Sequence, residues 1–217
     1  MRPAMSLRHR IRGLYGIADA QVRPELSLWE KTRLFAEGGA SCIQLRDKRG
    51  GARALFEAAR EALERLGDRA LILINDRPDV ALASGAHGVH VGAEDLPVAV
   101  VRKMVGTERI VGATVRTLAE ARAALEDGAD YVGFGPVFPT STKALAVEVR
   151  GLSMLAEVAR GAGLPVVAIG GVGAASAAAI AGAGAAAGAV VSDVLGAVDP
   201  VAQARRFTAE FARGQGR

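Results

Sequence analysis

The chain has a single cysteine, Cys42, in 217 residues, so it can form neither an internal disulfide nor a cysteine-rich metal cluster. Cys42 sits in an apolar run and reads as a small buried hydrophobe. The three histidines, His9, His87 and His90, have no metal-ligand spacing, and no Ser/His/Asp set is evident. Zinc chemistry and triad hydrolysis are thereby disfavoured, and His90, inside an apolar segment, reads as a satisfied core residue. Aromatic residues make up only 4% of the chain and its arginines are dispersed, so anionic metabolites explain the net charge of +4 equally well and no nucleic-acid partner is expected. A dense Leu/Ile/Val/Phe run long enough for a membrane is also lacking. The charge-free stretch from Leu164 to Ser192 is mostly Ala and Gly and is broken by Gly170-Gly171, which predicts a strand, a glycine turn, a small-residue helix and a second strand. The basic N-terminal segment is not followed by an apolar signal core, which predicts a cytoplasmic protein.

What the chain does contain is apolar surface, 50% of residues hydrophobic against 23% charged, enough to bury one substantial core. Short apolar runs alternate with longer amphipathic segments from Leu14 onward. Eight strands are predicted: Leu14 to Ala18, Cys42 to Leu45, Ala70 to Ile74, Gly88 to Val91, Ile110 to Ala113, Tyr131 to Phe134, Val166 to Ile169 and Ala187 to Val191. Helices are predicted at Leu28 to Glu37, Ala52 to Leu66, Leu118 to Glu126, Leu152 to Arg160, Ala174 to Ala181 and Val201 to Ala212. The strands are nearly continuous apolar runs, as befits parallel strands covered on both faces. Eight regular βα units favour closure into a single-domain (β/α)8 TIM barrel, with residues 1–12 as an N-terminal extension and 213–217 as a flexible tail. The apolar helices leave a homo-oligomer open without locating an interface.

In such a barrel the reacting groups project from the C-terminal ends of the strands. After the second strand, alternation places Gln44, Arg46 and Lys48 on one side, an amide and two cations suited to a diphosphate. The competing reading is a solvated loop with a surface salt bridge to Asp47. The third and fourth strands end near Asn75-Asp76 and Asp95. Two carboxylates on adjacent strands can share a hard divalent ion, yet Asp before Pro78 or Pro97 is equally a helix N-cap, and spacing alone leaves both open. The sixth strand leads into Thr140, Ser141, Thr142 and Lys143, hydroxyls and an ammonium on a loop stiffened by Pro136 and Pro139, a phosphate-binding chemistry. Gly170-Gly171 follows the seventh strand and Ser192 the eighth, where this fold recurrently holds phosphate.

Taken together, the segments IQLRDK, INDRPDVALASGAHGVHVGAEDLP, DGADYVGFGPVFPTSTK, VVAIGGV and VVSDV resemble the ordered motifs of the thiamine-phosphate synthase family, spanning about Leu14 to Asp193. The resemblance implies a transferase of thiamine biosynthesis, in which a thiazole phosphate nitrogen displaces diphosphate from a hydroxymethylpyrimidine diphosphate. It implies Mg2+ on Asp76 and Asp95, and the pyrimidine diphosphate on Gln44, Arg46, Lys48 and Asn75. It further implies the thiazole phosphate on Thr140, Thr142, Gly171, Val191 and Ser192, with Ser141 in the same loop and Lys143 against the leaving diphosphate. Arg46, Lys48, Lys143 and Thr114 make up the expected catalytic group, the cations receiving charge as diphosphate departs. The sequence departs from the family where Ala93 replaces the usual Gln, Thr114 the usual Ser and Arg116 the common His or Asn, and Ala185 to Gly188 is unusual before the last strand. A thiazole tautomerase of the same fold would not need the pyrimidine-diphosphate and metal residues, and a non-catalytic precursor sensor would keep only the phosphate pocket.

Overall fold

The computed structural model describes residues 7–140 and 148–216. Eight parallel strands close in sequence order: β1 (Gly13–Asp19), β2 (Cys42–Arg46), β3 (Leu71–Asn75), β4 (Gly88–Val91), β5 (Ile110–Val115), β6 (Tyr131–Phe134), β7 (Val166–Ala168) and β8 (Ala187–Val190). β8 returns to β1 through the register Gly13 with Ala187 to Gly16 with Val190. This is a (β/α)8 barrel, as eight apolar runs at regular spacing require.

The outer ring carries α1 (Leu28–Glu37), α2 (Ala52–Leu66), α3 (Pro78–Ser84), α4 (Val98–Val105), α5 (Leu118–Glu126), α6 (Gly151–Gly161), α7 (Ala177–Gly182), α8 (Ser192–Leu195) and α9 (Pro200–Gly214). Ser27 caps α1 in a reciprocal box with Glu30, and Thr117 and Asp199 cap α5 and α9 by accepting from backbone N–H groups. The predicted helix from Ala174 divides into a 3-10 turn, Ala174–Ser176, followed by α7. The short helices α3 and α4 had no sequence prediction because each spans only two turns and begins beside a proline, too little for a periodic pattern.

Burial follows strand alternation. Ile72 and Ile74 of β3 face the helices, in a cluster with Phe35, Phe207 and Phe211, while Leu71 and Leu73 face the barrel interior with Tyr15, Cys42 and Tyr131. Leu7 and Ile11 pack into that interior cluster as well, so the segment before β1 closes the barrel's N-terminal end. Interior packing is tight enough to dictate glycine at one site: a Cβ on Gly112 of β5 would lie 2.1 Å from Tyr131 Cζ. The hydroxyl end of the Tyr131 ring lies against Gly112, and its hydroxyl meets Tyr15 and His90 inside the barrel. Among the described residues no helix is long and apolar enough to cross a membrane.

Candidate active site

At the C-terminal mouth of the barrel, Gln44, Arg46, Asn75 and Thr114 line one cavity of about 80 Å³, together with Tyr15 and His90. The strand ends thus bring together four of the residues predicted from sequence. A larger surface hollow of about 370 Å³ lies outside the barrel, between α2 and α3, and none of the predicted residues lines it.

The cavity floor is a continuous chain of hydrogen bonds across the barrel. Gln44 donates through Nε2 to the Tyr15 hydroxyl at 3.0 Å, which lies 2.9 Å from the Tyr131 hydroxyl. Tyr131 in turn lies 2.8 Å from His90 Nδ1, and His90 Nε2 lies 2.9 Å from Thr114 Oγ1. With Gln44 as donor, each group passes its proton onward: Tyr15 to Tyr131, Tyr131 to His90 Nδ1, and His90 Nε2–H to Thr114. Thr114 then faces the cavity as a donor. Burial pushes both tyrosine hydroxyls well above their usual range, so both stay protonated. His90 is hydrogen-bonded at both ring nitrogens, as a satisfied residue should be, but it also lines the cavity rather than sitting wholly in the core.

Both cations of β2 are held by carboxylates on neighbouring strands. Arg46 Nη1 is paired with Asp19 of β1, and Lys48 Nζ with Asp76 after β3. The reading of this segment as a solvated loop fixed by Asp47 does not hold. The Asp47 carboxylate instead accepts the Arg49 and Gly50 N–H groups and closes a local turn.

The alternative of helix capping for Asp76 and Asp95 also fails. The N-cap positions of α3 and α4 are Arg77 and Pro97, and neither helix has a side-chain cap. Asp76 adopts a left-handed backbone, φ 59°, with its N–H on the His90 carbonyl at 2.8 Å and its Oδ2 accepting from Asn75 Nδ2 at 2.6 Å. Such a conformation in a non-glycine residue is a strain tolerated where it aims a side chain. Asp95 Oδ2 accepts the Gly92 N–H at 2.8 Å.

The two carboxylates are in hydrogen-bond reach of each other. Burial raises the Asp76 carboxyl above its usual range; Lys48 pulls it back, and the charge of Asp95 raises it again. Asp95 lies below the usual range although burial opposes this, because Asp76, the Gly92 N–H and Lys48 favour its ionised form. Of the pair, Asp76 is the one whose carboxyl is shifted upward. Two carboxylates this close are a donor set that a hard divalent cation satisfies. Among the described residues no third His, Cys, Asp or Glu completes an all-protein cage. The fit is to an ion such as Mg2+, which keeps waters and takes substrate phosphate.

On the other half of the mouth, the loop after β6 is zipped to the loop after β7. Val137 and Phe138 donate to the carbonyls of Ile169 and Gly170 at 2.9 and 3.0 Å. Gly171, at φ 64°, lies so close that a Cβ would meet the Pro139 carbonyl oxygen at 2.4 Å, one residue before Thr140. Asp193 ties the loop after β7 to α8, since its Oδ2 accepts from Ala174 N at 3.0 Å and from Gln203 Nε2 at 2.9 Å. Thr140, Gly171, Val191 and Ser192 thus sit on adjoining strand ends. The predicted Ser141, Thr142 and Lys143 lie outside the described residues.

The thiamine monophosphate synthase family model matches residues 14–194 of the chain, every strand of the barrel included. The chain belongs to that family.

The thiamine-phosphate synthase of Anaeromyxobacter dehalogenans is 51% identical over 213 residues, covering 96% of this chain and 91% of that one. The thiamine-phosphate synthase of Myxococcus xanthus is 47% identical, with 98% of each chain covered. Among solved structures, a thiamine phosphate pyrophosphorylase from Pyrococcus furiosus superposes with a TM-score of 0.86 at 36% identity, over 97% of this chain and 100% of that one.

Set against the family's motifs, two of the departures lie on the surface. Ala93 and Arg116 are exposed, and Arg116 is not among the residues lining the cavity; its N–H donates to Glu120 Oε2 at 2.6 Å. Thr114 is the departure that faces the cavity, and it keeps the hydroxyl that His90 addresses. Residues that sequence reasoning passed over are Tyr15, Tyr131, Asp19 and Lys31. The first two are the only tyrosines in the chain, both inside strands, a signal in itself. Asp19 is the first polar residue after an apolar run, the same rule that singled out Arg46.

Proposed function

We propose that this protein is a thiamine-phosphate synthase, joining 4-amino-2-methyl-5-(diphosphooxymethyl)pyrimidine to a thiazole phosphate and releasing pyrophosphate. The observation that carries the reading is the convergence of Gln44, Arg46, Asn75 and Thr114 on one cavity beside the Asp76 and Asp95 carboxylates. An amide, a guanidinium and a directed hydroxyl suit a polar aromatic ring bearing a diphosphate.

In this reading the ring enters the cavity over the Tyr15–Tyr131 floor. Thr114 donates to a ring nitrogen, and Gln44, whose Nε2 is committed to Tyr15, offers its carbonyl oxygen to the exocyclic amine. Arg46 and Lys48 hold the diphosphate, with Asn75 beside Asp76. Mg2+, held by Asp76 and Asp95, would supply charge neutralisation to the diphosphate oxygens. The bond from the methylene carbon to the diphosphate oxygen breaks, its electrons leave with pyrophosphate, and the electron-rich aminopyrimidine supports the carbon left behind. The thiazole nitrogen then supplies the electron pair for the new C–N bond. No proton transfer to protein is required, in agreement with the lack of a catalytic triad. Thr140, Ser141, Thr142, Gly171, Val191 and Ser192 hold the thiazole phosphate, and Lys143 supplies positive charge to the leaving diphosphate. Both substrates are multiply charged and do not cross membranes unaided, which supports a cytoplasmic reaction.

The test is turnover with both substrates and Mg2+. Wild type releases pyrophosphate, whereas Arg46→Ala and Asp76→Ala each lose at least about a hundredfold in kcat/KM, the scale of one lost transition-state contact. Interconversion of thiazole phosphate isomers without the pyrimidine would instead favour a tautomerase.

A further inference from the structure

Arg46 is held by a buried arrangement whose other members take no part in the reaction as derived above. Asp19 ends β1 directly opposite Arg46 in the strand register, and it is only 3% exposed. Each of its carboxylate oxygens is engaged: Oδ1 accepts the Gln21 N–H at 2.9 Å, and Oδ2 accepts from Arg46 Nη1. Behind it, the fully buried Lys31 of α1 donates to the Asp19 carbonyl at 3.0 Å and to the Ala20 carbonyl at 3.5 Å. A buried carboxylate and a buried ammonium are each expensive to desolvate and are retained where they fix a geometry.

We propose that Asp19, seated by Lys31, is a positioning residue that aims the Arg46 guanidinium into the mouth of the barrel for the diphosphate. The inference rests on the reading of Arg46 as a diphosphate ligand. Asp19 engages one guanidinium nitrogen, Nη1, and leaves N–H groups on the others to meet phosphate oxygens. It thereby fixes a side chain with several free torsions in one orientation before substrate arrives, and removes part of the ordering cost from binding. Lys31 anchors the carbonyls at the end of β1 and places its positive charge near Asp19.

The experiment measures pyrophosphate binding by calorimetry in the presence of Mg2+, steady-state kinetics with each substrate, and thermal melting, for Asp19→Asn, Lys31→Met, Arg46→Ala and the Asp19→Asn/Arg46→Ala double variant. Asp19→Asn should weaken pyrophosphate and raise KM for the pyrimidine diphosphate about tenfold, the size of a lost charge-assisted hydrogen bond, with KM for the thiazole phosphate unchanged. Lys31→Met should move the same two quantities in the same direction by about threefold, and it keeps the proposal testable if Asn at position 19 does not fold. In the double variant the Asp19 effect should vanish, since a positioning residue has nothing left to position. Loss in Arg46→Ala with full pyrophosphate affinity in Asp19→Asn would overturn the positioning role alone, as would additive effects in the double variant. Unchanged pyrophosphate affinity in Arg46→Ala would overturn the diphosphate reading of Arg46, and the inference with it.

Discussion

His90 Nε2 lies 2.9 Å from Thr114 Oγ1, at the end of a hydrogen-bonded chain that begins at Gln44 on the far side of the barrel. The two groups read as pyrimidine contacts are thus oriented by one buried device rather than independently. Thr114→Val keeps the shape and removes the hydroxyl. It should lower kcat/KM for the pyrimidine substrate by about ten- to a hundredfold, with a stability loss of about 1 kcal/mol for the hydrogen bond from His90, and Thr114→Ser should stay near wild type. Steady-state kinetics with a urea melt on each variant separates the two effects.

Tyr131→Phe cuts the same chain in the middle, removing the hydrogen bonds from Tyr131 to the Tyr15 hydroxyl and to His90 Nδ1. The unsatisfied Tyr15 hydroxyl in the barrel interior should cost about 1–3 kcal/mol. A fall in the urea midpoint with an unchanged m-value is the expected signature.

Asp76 combines a left-handed backbone with a carboxyl that burial shifts upward. Its folded-state pKa is raised, mainly by burial, so protonation favours the fold. The group is comfortable below its unfolded pKa and becomes a liability as pH rises through the folded value. Asp76→Asn removes that liability and suits the left-handed backbone, where Asn is well tolerated. The variant should therefore match or exceed wild type in metal-free thermal stability at pH 7, by up to about 1 kcal/mol, while losing activity. For the same reason Mg2+ affinity of the wild type should fall on acidification at a higher pH than for an exposed aspartate pair, as a Mg2+ titration over pH would record.

Gly171 has φ 64° and faces the Pro139 carbonyl oxygen. Gly171→Ala forces both a backbone penalty and a clash, expected to cost about 1–3 kcal/mol, and should raise KM for the thiazole phosphate while leaving pyrophosphate affinity intact. Calorimetry with the two ligands gives the split directly.

The barrel was legible in the sequence because a parallel strand covered on both faces leaves a short apolar run, and eight such runs recur at regular spacing. Val89 and Val132, for example, have zero exposure in strands predicted to the residue. Arg46, Asp76 and Asp95 were legible because they are polar residues at the ends of such runs. Less readable was the pairing. Sequence proximity favoured Asp47 as the partner of the β2 cations, whereas register brought Asp19 to Arg46 across the ladder. Tyr15, Tyr131 and His90 were hidden for a related reason. They are polar only at the tip, so within a strand they read as core, and only closure of the barrel brings their tips into one line.

The most direct measurement is a phosphorus NMR time course on the purified protein with the pyrimidine diphosphate, the thiazole phosphate and Mg2+. The account predicts that pyrophosphate and thiamine monophosphate signals grow together in equal amounts, and that chelation of the metal stops both. Binding of the thiazole phosphate with no new signal over many protein equivalents of substrate would contradict it.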